Sequence, residues 1–290
     1  MFEGVFTALV TPFRDGALDE AALRELVERQ VAAGVDGVVP CGSTGEAATL
    51  SHAEHRRVVE VCVEAVSGRV QVLAGTGSNS TRESIELTRH ARDAGADGAL
   101  LISPYYNKPT PDGVVAHYAA IARDSGLPLV VYNIPGRTGS NILPETMARL
   151  AEIELVAGVK ESSGDVAQVS RVVASCPASF SVLSGDDALT LPIIAVGGRG
   201  VISTTSNVAP RAMVELVAAA RAGELARARE IHYRLLPLFD ALFCETNPIP
   251  VKAALAMQGL VEEEIRLPLL PLGAAHRARL QAVLKEQEIL

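Results

Sequence analysis

The chain has 290 residues, 48% of them hydrophobic, and a net charge of −8. This length excludes a small disulfide scaffold, and the apolar content excludes a disordered polymer; one large α/β barrel or two ordinary domains fit. The acidic balance, with no basic run, argues against a nucleic-acid partner.

From the start, Met1 to Val10 lacks a basic leader and its apolar run is too short for a signal peptide. No stretch is long and apolar enough to cross a membrane. A soluble, cytoplasmic protein with no membrane partner is expected. Val5 to Pro12 is the first strand candidate. Asp19 is positioned to N-cap a helix through Ala33, with Leu23, Leu26, Val27 and Gln30 at helical spacing, and Gly34 ends it. Val35 to Pro40 is the next apolar run. Ser51 and Glu54 form a capping-box pair before a helix that buries Val58, Val59 and Cys62.

The pattern then repeats. Val70 to Ala74 is a strand, and Ser80 or Thr81 opens a helix to Ala94. Asp97-Gly98 leads into the strand Ala99 to Ser103, echoing Asp36-Gly37 before the second strand. Thr110-Pro111 starts a helix to Ser125, with proline at the first helical position. Leu127 to Asn133 is a strand, and Leu143-Pro144 opens the following helix. Val156 to Lys160 is a strand, a helix runs from about Asp165, and Ser181 to Ser184 is a strand. A helix across Asp187 to Val196, the strand Gly200 to Ser203 and a helix from Val208 to Ala222 complete eight strand–helix units. Such alternation implies parallel strands with crossover helices, and eight units fit a (β/α)8 TIM barrel. Residues 1–223 are assigned to this catalytic barrel. Residues 224–290 carry three helical segments, roughly 224–243, 250–258 and 272–285. They are read as a helical appendage for packing or assembly.

In such a barrel the C-terminal ends of the strands face one site. Lys160 ends the sixth strand. Burial lowers a lysine's pKa from its ordinary value of about 10.4, and a sheltered neutral amine can attack a ketone. The alternative is a surface lysine closing a strand. Gly42-Ser43-Thr44-Gly45-Glu46 follows the second strand and offers hydroxyls and backbone N–H groups to an anion; such turns are also common without function. Tyr105 and Tyr106 are adjacent after the fourth strand, where half-buried packing is the default. Tyr132 ends the fifth strand, and Arg137 in its glycine-rich loop suits bidentate carboxylate binding or a structural salt bridge. Asp186 and Asp187 precede a helix, where N-capping and the helix dipole account for them without a metal. The four cysteines, Cys41, Cys62, Cys176 and Cys244, form no CxxC pair and read as buried free thiols. Cys41 adjoins the glycine-rich turn and is read as a packed small residue. A lysine, tyrosines, a hydroxyl pair and an arginine on one rim match imine chemistry on a keto acid.

The motifs Gly42 to Glu46, Pro104 to Pro109, Tyr132 to Gly139, Gly158 to Glu161, Leu183 to Asp187 and Asn247 to Lys252 together resemble the dihydrodipicolinate synthase family of pyruvate-dependent class I aldolases. The resemblance runs from Gly4 into the tail. It implies that Lys160 forms a Schiff base with pyruvate, whose enamine attacks aspartate semialdehyde on the diaminopimelate route to lysine. It implies a proton relay through Tyr132, Ser43 and Tyr106, the last supplied by a neighbouring subunit. Thr44 would hold the pyruvate carboxylate, Arg137 that of the semialdehyde, and the main chain of Gly185 and Ile202 would flank the imine. No metal or organic cofactor is implied, and the assembly would be a homotetramer, a dimer of dimers. A lysine effector site would use Ala48, His52, His55, Asn79, Glu83 and Tyr105; from the residues alone, His52 and His55 read as a solvated turn.

Two positions depart from the family pattern. Ser43 stands where threonine is usual, keeping the hydroxyl without the methyl that restricts its rotamer. Ala47 replaces a frequent serine in the lysine site. Serine at position 43 is also found in sialic acid (N-acetylneuraminate) lyases, so another pyruvate aldolase, including a keto-sugar-acid aldolase, is the alternative. Arg137 and the tyrosine pair favour the synthase. A non-catalytic keto-acid-binding regulatory protein is the alternative from another class, and the intact Lys160, Tyr132 and Tyr106 argue against it.

Overall fold

The computed structural model describes residues 1–290. Eight parallel strands close on themselves: β1 (Gly4–Ala8), β2 (Gly37–Val39), β3 (Gln71–Gly75), β4 (Gly98–Ile102), β5 (Leu129–Asn133), β6 (Val156–Glu161), β7 (Ser181–Ser184) and β8 (Gly200–Ser203). Closure comes from β1, which pairs with β8 through Phe6 and Ile202 and with β2 through Phe6 and Gly37. The expected TIM barrel is therefore observed. The first two strands are shorter than the apolar runs that predict them, stopping before Pro12 and Pro40, since proline has no N–H for a ladder.

Helices α1 (Glu20–Ala33), α2 (His52–Val66), α3 (Thr81–Ala94), α4 (Pro111–Ser125), α5 (Pro144–Ala151), α6 (Val166–Ser175), α7 (Thr190–Ala195) and α8 (Pro210–Arg221) alternate with the strands. Their ends follow local chemistry. The Asp19 carboxylate accepts the Ala22 N–H at 3.0 Å, and Ser51 and Glu54 form the full capping box. Gly34 and Gly95 leave their helices at φ 84° and 95°, where L side chains are strained. Two elements were not anticipated. Phe13–Arg14 and Ala17–Leu18 form a small antiparallel hairpin across Asp15-Gly16, and Pro135–Thr138 is one short helical turn.

Period-two alternation divides the strand side chains between two cores. Phe6, Val39, Leu73, Leu100, Val130, Leu183 and Ile202 fill the barrel interior. Their strand neighbours, such as Val5, Val38, Val72, Leu101, Val131 and Val182, face the helices in the larger outer core. Phe6 lies so close to β2 that a Cβ on Gly37 would stand 2.3 Å from its ring, so only glycine fits there. The interior is thus packed at the base and opens at the C-terminal ends.

The remaining helices are α9 (Leu225–Leu242), α10 (Ile249–Met257) and α11 (Ala274–Glu286). Helix α9 packs on α8, and α11 packs on α9 and α10. No helix is long and apolar enough to cross a membrane.

Candidate active site

Tyr132 and Lys160 are register partners on β5 and β6. Alternation turns both side chains into the barrel at its open end. Lys160 is buried at 6% exposure, and its Nζ lies 4.3 Å from the centroid of the Tyr132 ring. No carboxylate stands within 4.0 Å of this amine, whereas the other buried lysine, Lys252, is ion-paired. The Lys160 amine is therefore sheltered, unpaired and next to a phenol.

The adjoining cavity has a volume of about 1110 Å³. It is lined by Ser43, Thr44, Tyr132, Arg137, Lys160 and Gly185, which gathers six sequence-predicted site residues around one space. Gly185 is a required glycine. A Cβ there would stand 1.9 Å from the Ser162 hydroxyl and 2.9 Å from Lys160 Cε. The lysine stem runs over bare backbone, and the Gly185 N–H donates to the Glu161 carbonyl at 2.8 Å. Ile202 is elsewhere: it is buried in the barrel interior and does not line the cavity.

The hydroxyl turn after β2 is tightly built. Cys41 and Glu46 bracket it at φ 56° and 53°, left-handed conformations for non-glycine residues. Thr11 donates to the Gly45 carbonyl at 2.7 Å. The Thr44 hydroxyl accepts from Asn247 Nδ2 at 2.9 Å and lies 3.4 Å from the Thr204 hydroxyl. Ser43 Oγ makes no hydrogen bond within the chain and faces the cavity. Cys41 is buried, as expected, and burial pushes its thiol well above the ordinary range.

Arg137 is carried by the short helical turn after β5, and its Nη2 donates to the Asn247 carbonyl at 3.0 Å. This leaves the rest of the guanidinium free at the cavity wall. Asp186 caps the following turn through the Ala188 N–H at 3.0 Å, as expected. Asp187 does more. It is 2% exposed, accepts from Thr204 N–H and from the N–H and hydroxyl of Thr205, and so ties the β7 and β8 loops together. Desolvation pushes its carboxyl pKa up.

Tyr106 is not brought to this cavity. It is 88% exposed at φ 68°. Next to it, the expected effector residues do converge. His52 Nε2 lies 2.8 Å from Glu83 Oε1, and Asn79 Nδ2 donates to the Tyr105 carbonyl at 3.2 Å. His55 is buried with Nε2 2.8 Å from the Gly75 carbonyl, which replaces the solvated-turn reading for that residue. Ala48 is exposed on the turn before α2.

The tail is not merely an appendage. Phe243, Asn247 and Arg279 line the cavity. The motif Asn247 to Lys252 has no place in the site that the sequence predicts. The Asn247-Pro248 turn was the available signal, since such pairs mark turns that aim side chains.

The profile of the Dihydrodipicolinate synthetase family matches residues 1–287. The chain is 56% identical over 290 residues to the 4-hydroxy-tetrahydrodipicolinate synthase of Nitratidesulfovibrio vulgaris, covering 100% of this chain and 99% of that one. Among solved structures it is similar to dihydrodipicolinate synthase from Aquifex aeolicus, with TM-score 0.98, 48% identity and 99% of each chain covered. It is also similar to the chloride-inhibited enzyme from Acinetobacter baumannii complexed with pyruvate, with TM-score 0.98, 44% identity and 100% of each chain covered. The enzyme from Cyanidioschyzon merolae with lysine bound is a further neighbour, at TM-score 0.97 and 40% identity, over 100% of this chain and 99% of that one.

Proposed function

Because the chain belongs to the dihydrodipicolinate synthetase family, we infer that it condenses pyruvate with L-aspartate 4-semialdehyde through a Schiff base on Lys160. The observation that carries this reading is the unpaired Lys160 amine beside the Tyr132 ring, in a cavity also lined by Thr44 and Arg137.

The Lys160 nitrogen adds to the pyruvate ketone. Water leaves the carbinolamine, and the imine forms. Loss of a methyl proton gives an enamine, whose carbon attacks the aldehyde of the semialdehyde. Cyclisation through the acceptor's amine then releases the lysine. The imine is itself the electron sink, so the route needs no separate cofactor. Tyr132 is assigned the proton transfers at the imine, because its phenol is the nearest titratable group on the paired strand. Ser43, with a hydroxyl unused within the chain, continues the relay, and the partner subunit's Tyr106 completes it. Thr44 and the backbone around it receive the pyruvate carboxylate. Arg137 receives the semialdehyde carboxylate, its other wall contact being the Asn247 carbonyl. The main-chain groups of Gly185 and Ile202 are assigned to flank the imine. On this reading residues 1–223 and 224–290 are two structural parts of one functional unit.

The exposed Tyr106 supports assembly through its face, and we assign a dimer of dimers. The cluster of His52, His55, Asn79, Glu83 and Tyr105, with Ala48 at its edge, supports a site for free lysine. A carboxylate and an asparagine receive its ammonium groups there. Absence of a membrane-crossing helix is compatible with a cytoplasmic setting.

Steady-state rates with pyruvate and either aspartate semialdehyde or N-acetylmannosamine test the acceptor. Turnover with the semialdehyde alone is expected, and an Arg137→Ala variant should weaken semialdehyde binding by about 2 kcal/mol, roughly thirtyfold. Preference for the sugar would overturn the assignment.

A further inference from the structure

The deepest charged pair in the molecule has no part in the chemistry above. Lys252, on α10, meets Glu46 at 2.5 Å, with side-chain exposures of 1% and 2%. Glu46 closes the hydroxyl turn two residues after Thr44, and it does so at φ 53°. Its other oxygen accepts the Arg266 N–H at 3.1 Å. The ammonium also donates to the Glu264 carbonyl at 2.7 Å. Both Lys252 Nζ and Arg266 Cζ stack on Phe13, 4.2 and 4.1 Å from its centroid. Five residues before Lys252, Asn247 holds the Thr44 hydroxyl itself. The same tail segment therefore grips the turn at Thr44 and at Glu46.

A buried ion pair is poor evidence of stability, because desolvation offsets the attraction and an apolar pair often does as well. What it supplies here is direction. Each oxygen of one carboxylate is fixed by a different donor, so the backbone carrying it has one available orientation. Left-handed non-glycine residues persist where their surroundings over-determine them.

We propose that Lys252 is a positioning residue for the keto-acid carboxylate: by fixing Glu46, it sets the orientation of the Ser43-Thr44 turn that receives pyruvate. This rests on the reading that Thr44 receives that carboxylate. The pair acts on the turn that receives pyruvate, and neither Lys252 nor Glu46 bonds to Arg137, whose wall contact is the Asn247 carbonyl.

The test uses the full chain, with Lys252→Met and the pair Glu46→Gln/Lys252→Met. Borohydride trapping is measured against pyruvate concentration, with Tm and the KM for semialdehyde alongside. In Lys252→Met, Tm falls because a charge is left buried and unpaired. In the double variant, which removes both charges of the pair, Tm recovers most of that loss. Half-saturating pyruvate stays raised by about tenfold or more in the double variant, since a turn misplaced by an ångström has that scale of effect. Semialdehyde KM stays within about twofold, as expected when only one substrate's site is disturbed. Wild-type pyruvate dependence in a folded double variant would overturn the proposal, leaving the pair a structural clamp. If the single variant does not fold, the double variant decides. Failure of the wild type to trap pyruvate at all would instead defeat the functional reading beneath it.

Discussion

Asn133 and Glu161 stand side by side on β5 and β6, with the Asn133 Nδ2 3.1 Å from each carboxylate oxygen of Glu161. Each is one residue beyond a member of the Tyr132–Lys160 pair and points to the opposite face of the sheet. The Ser163 N–H also donates to this carboxylate, at 2.7 Å, and Asn133 Oδ1 accepts the Ile142 N–H at 3.0 Å. Asn141 and Gln168 extend the network at 2.8 Å. One buried polar cluster thus fixes the strand carrying the lysine and the loop carrying Arg137.

Removing the amide should expose what the cluster does. Asn133→Ala leaves the Glu161 carboxylate, 1% exposed, short of its main donor. It is expected to lower unfolding free energy by about 1–3 kcal/mol and to slow pyruvate trapping as Lys160 loses its register. Urea denaturation and single-turnover trapping measure the two effects. Unchanged stability would mean that Glu161 is neutral and indifferent to its neighbour.

Ser43 has no hydrogen-bond partner within the chain, which leaves its hydroxyl available for the proposed relay. Ser43→Ala should lose most turnover while Ser43→Thr, which keeps the oxygen and restricts its rotamer, stays active. Near-normal kcat in the alanine variant would remove this residue from the relay.

Acid stability depends on the strap between the tail and α2. Arg266 binds both oxygens of Glu54 at 2.6 and 3.0 Å, and this holds the carboxyl pKa down from 4.5 to about 2. The folded state therefore binds this proton less tightly than the unfolded chain. Its contribution is complete above the unfolded value and is lost as pH falls towards the folded one. Glu54→Gln should be less stable than wild type at neutral pH, with the gap closing as pH falls from 4.5 towards 2. Tm measured across that range reads it; a constant gap would contradict the assignment.

Control by lysine makes a separate prediction. The Glu83 carboxylate, held low by Ser78 and by His52, is ready to accept an ammonium group. Activity should decline against millimolar lysine, and His52→Ala should shift the curve. A flat titration removes the effector site.

The barrel was readable because its signals are local. Caps such as Asp19, Ser51 with Glu54, and Thr110-Pro111 lie within four residues of what they cap, and apolar runs marked every strand. The rim residues could be named once the strand ends were placed, because a barrel sends all of those ends to one side. The Asp15-Gly16 hairpin, whose two loop residues take positive φ as a two-residue loop usually requires, joins strands of only two residues and so leaves no alternation to read. Lys252 lies in a motif of the family resemblance, but nothing local announces its partner. Its partner is 206 residues away, and a lysine in an apolar helix looks the same whether it pairs inward or reaches solvent. Tyr106 is a different case: the resemblance places it in a neighbour's cavity, and within one chain it stands exposed.

The central claim is that the Lys160 amine forms the covalent bond to pyruvate. Borohydride reduction with pyruvate, followed by peptide mass mapping, tests it most directly. One reduced pyruvate adduct, on Lys160 and absent from Lys160→Ala, is the predicted result. No adduct, or one that persists on another lysine in that variant, would contradict it.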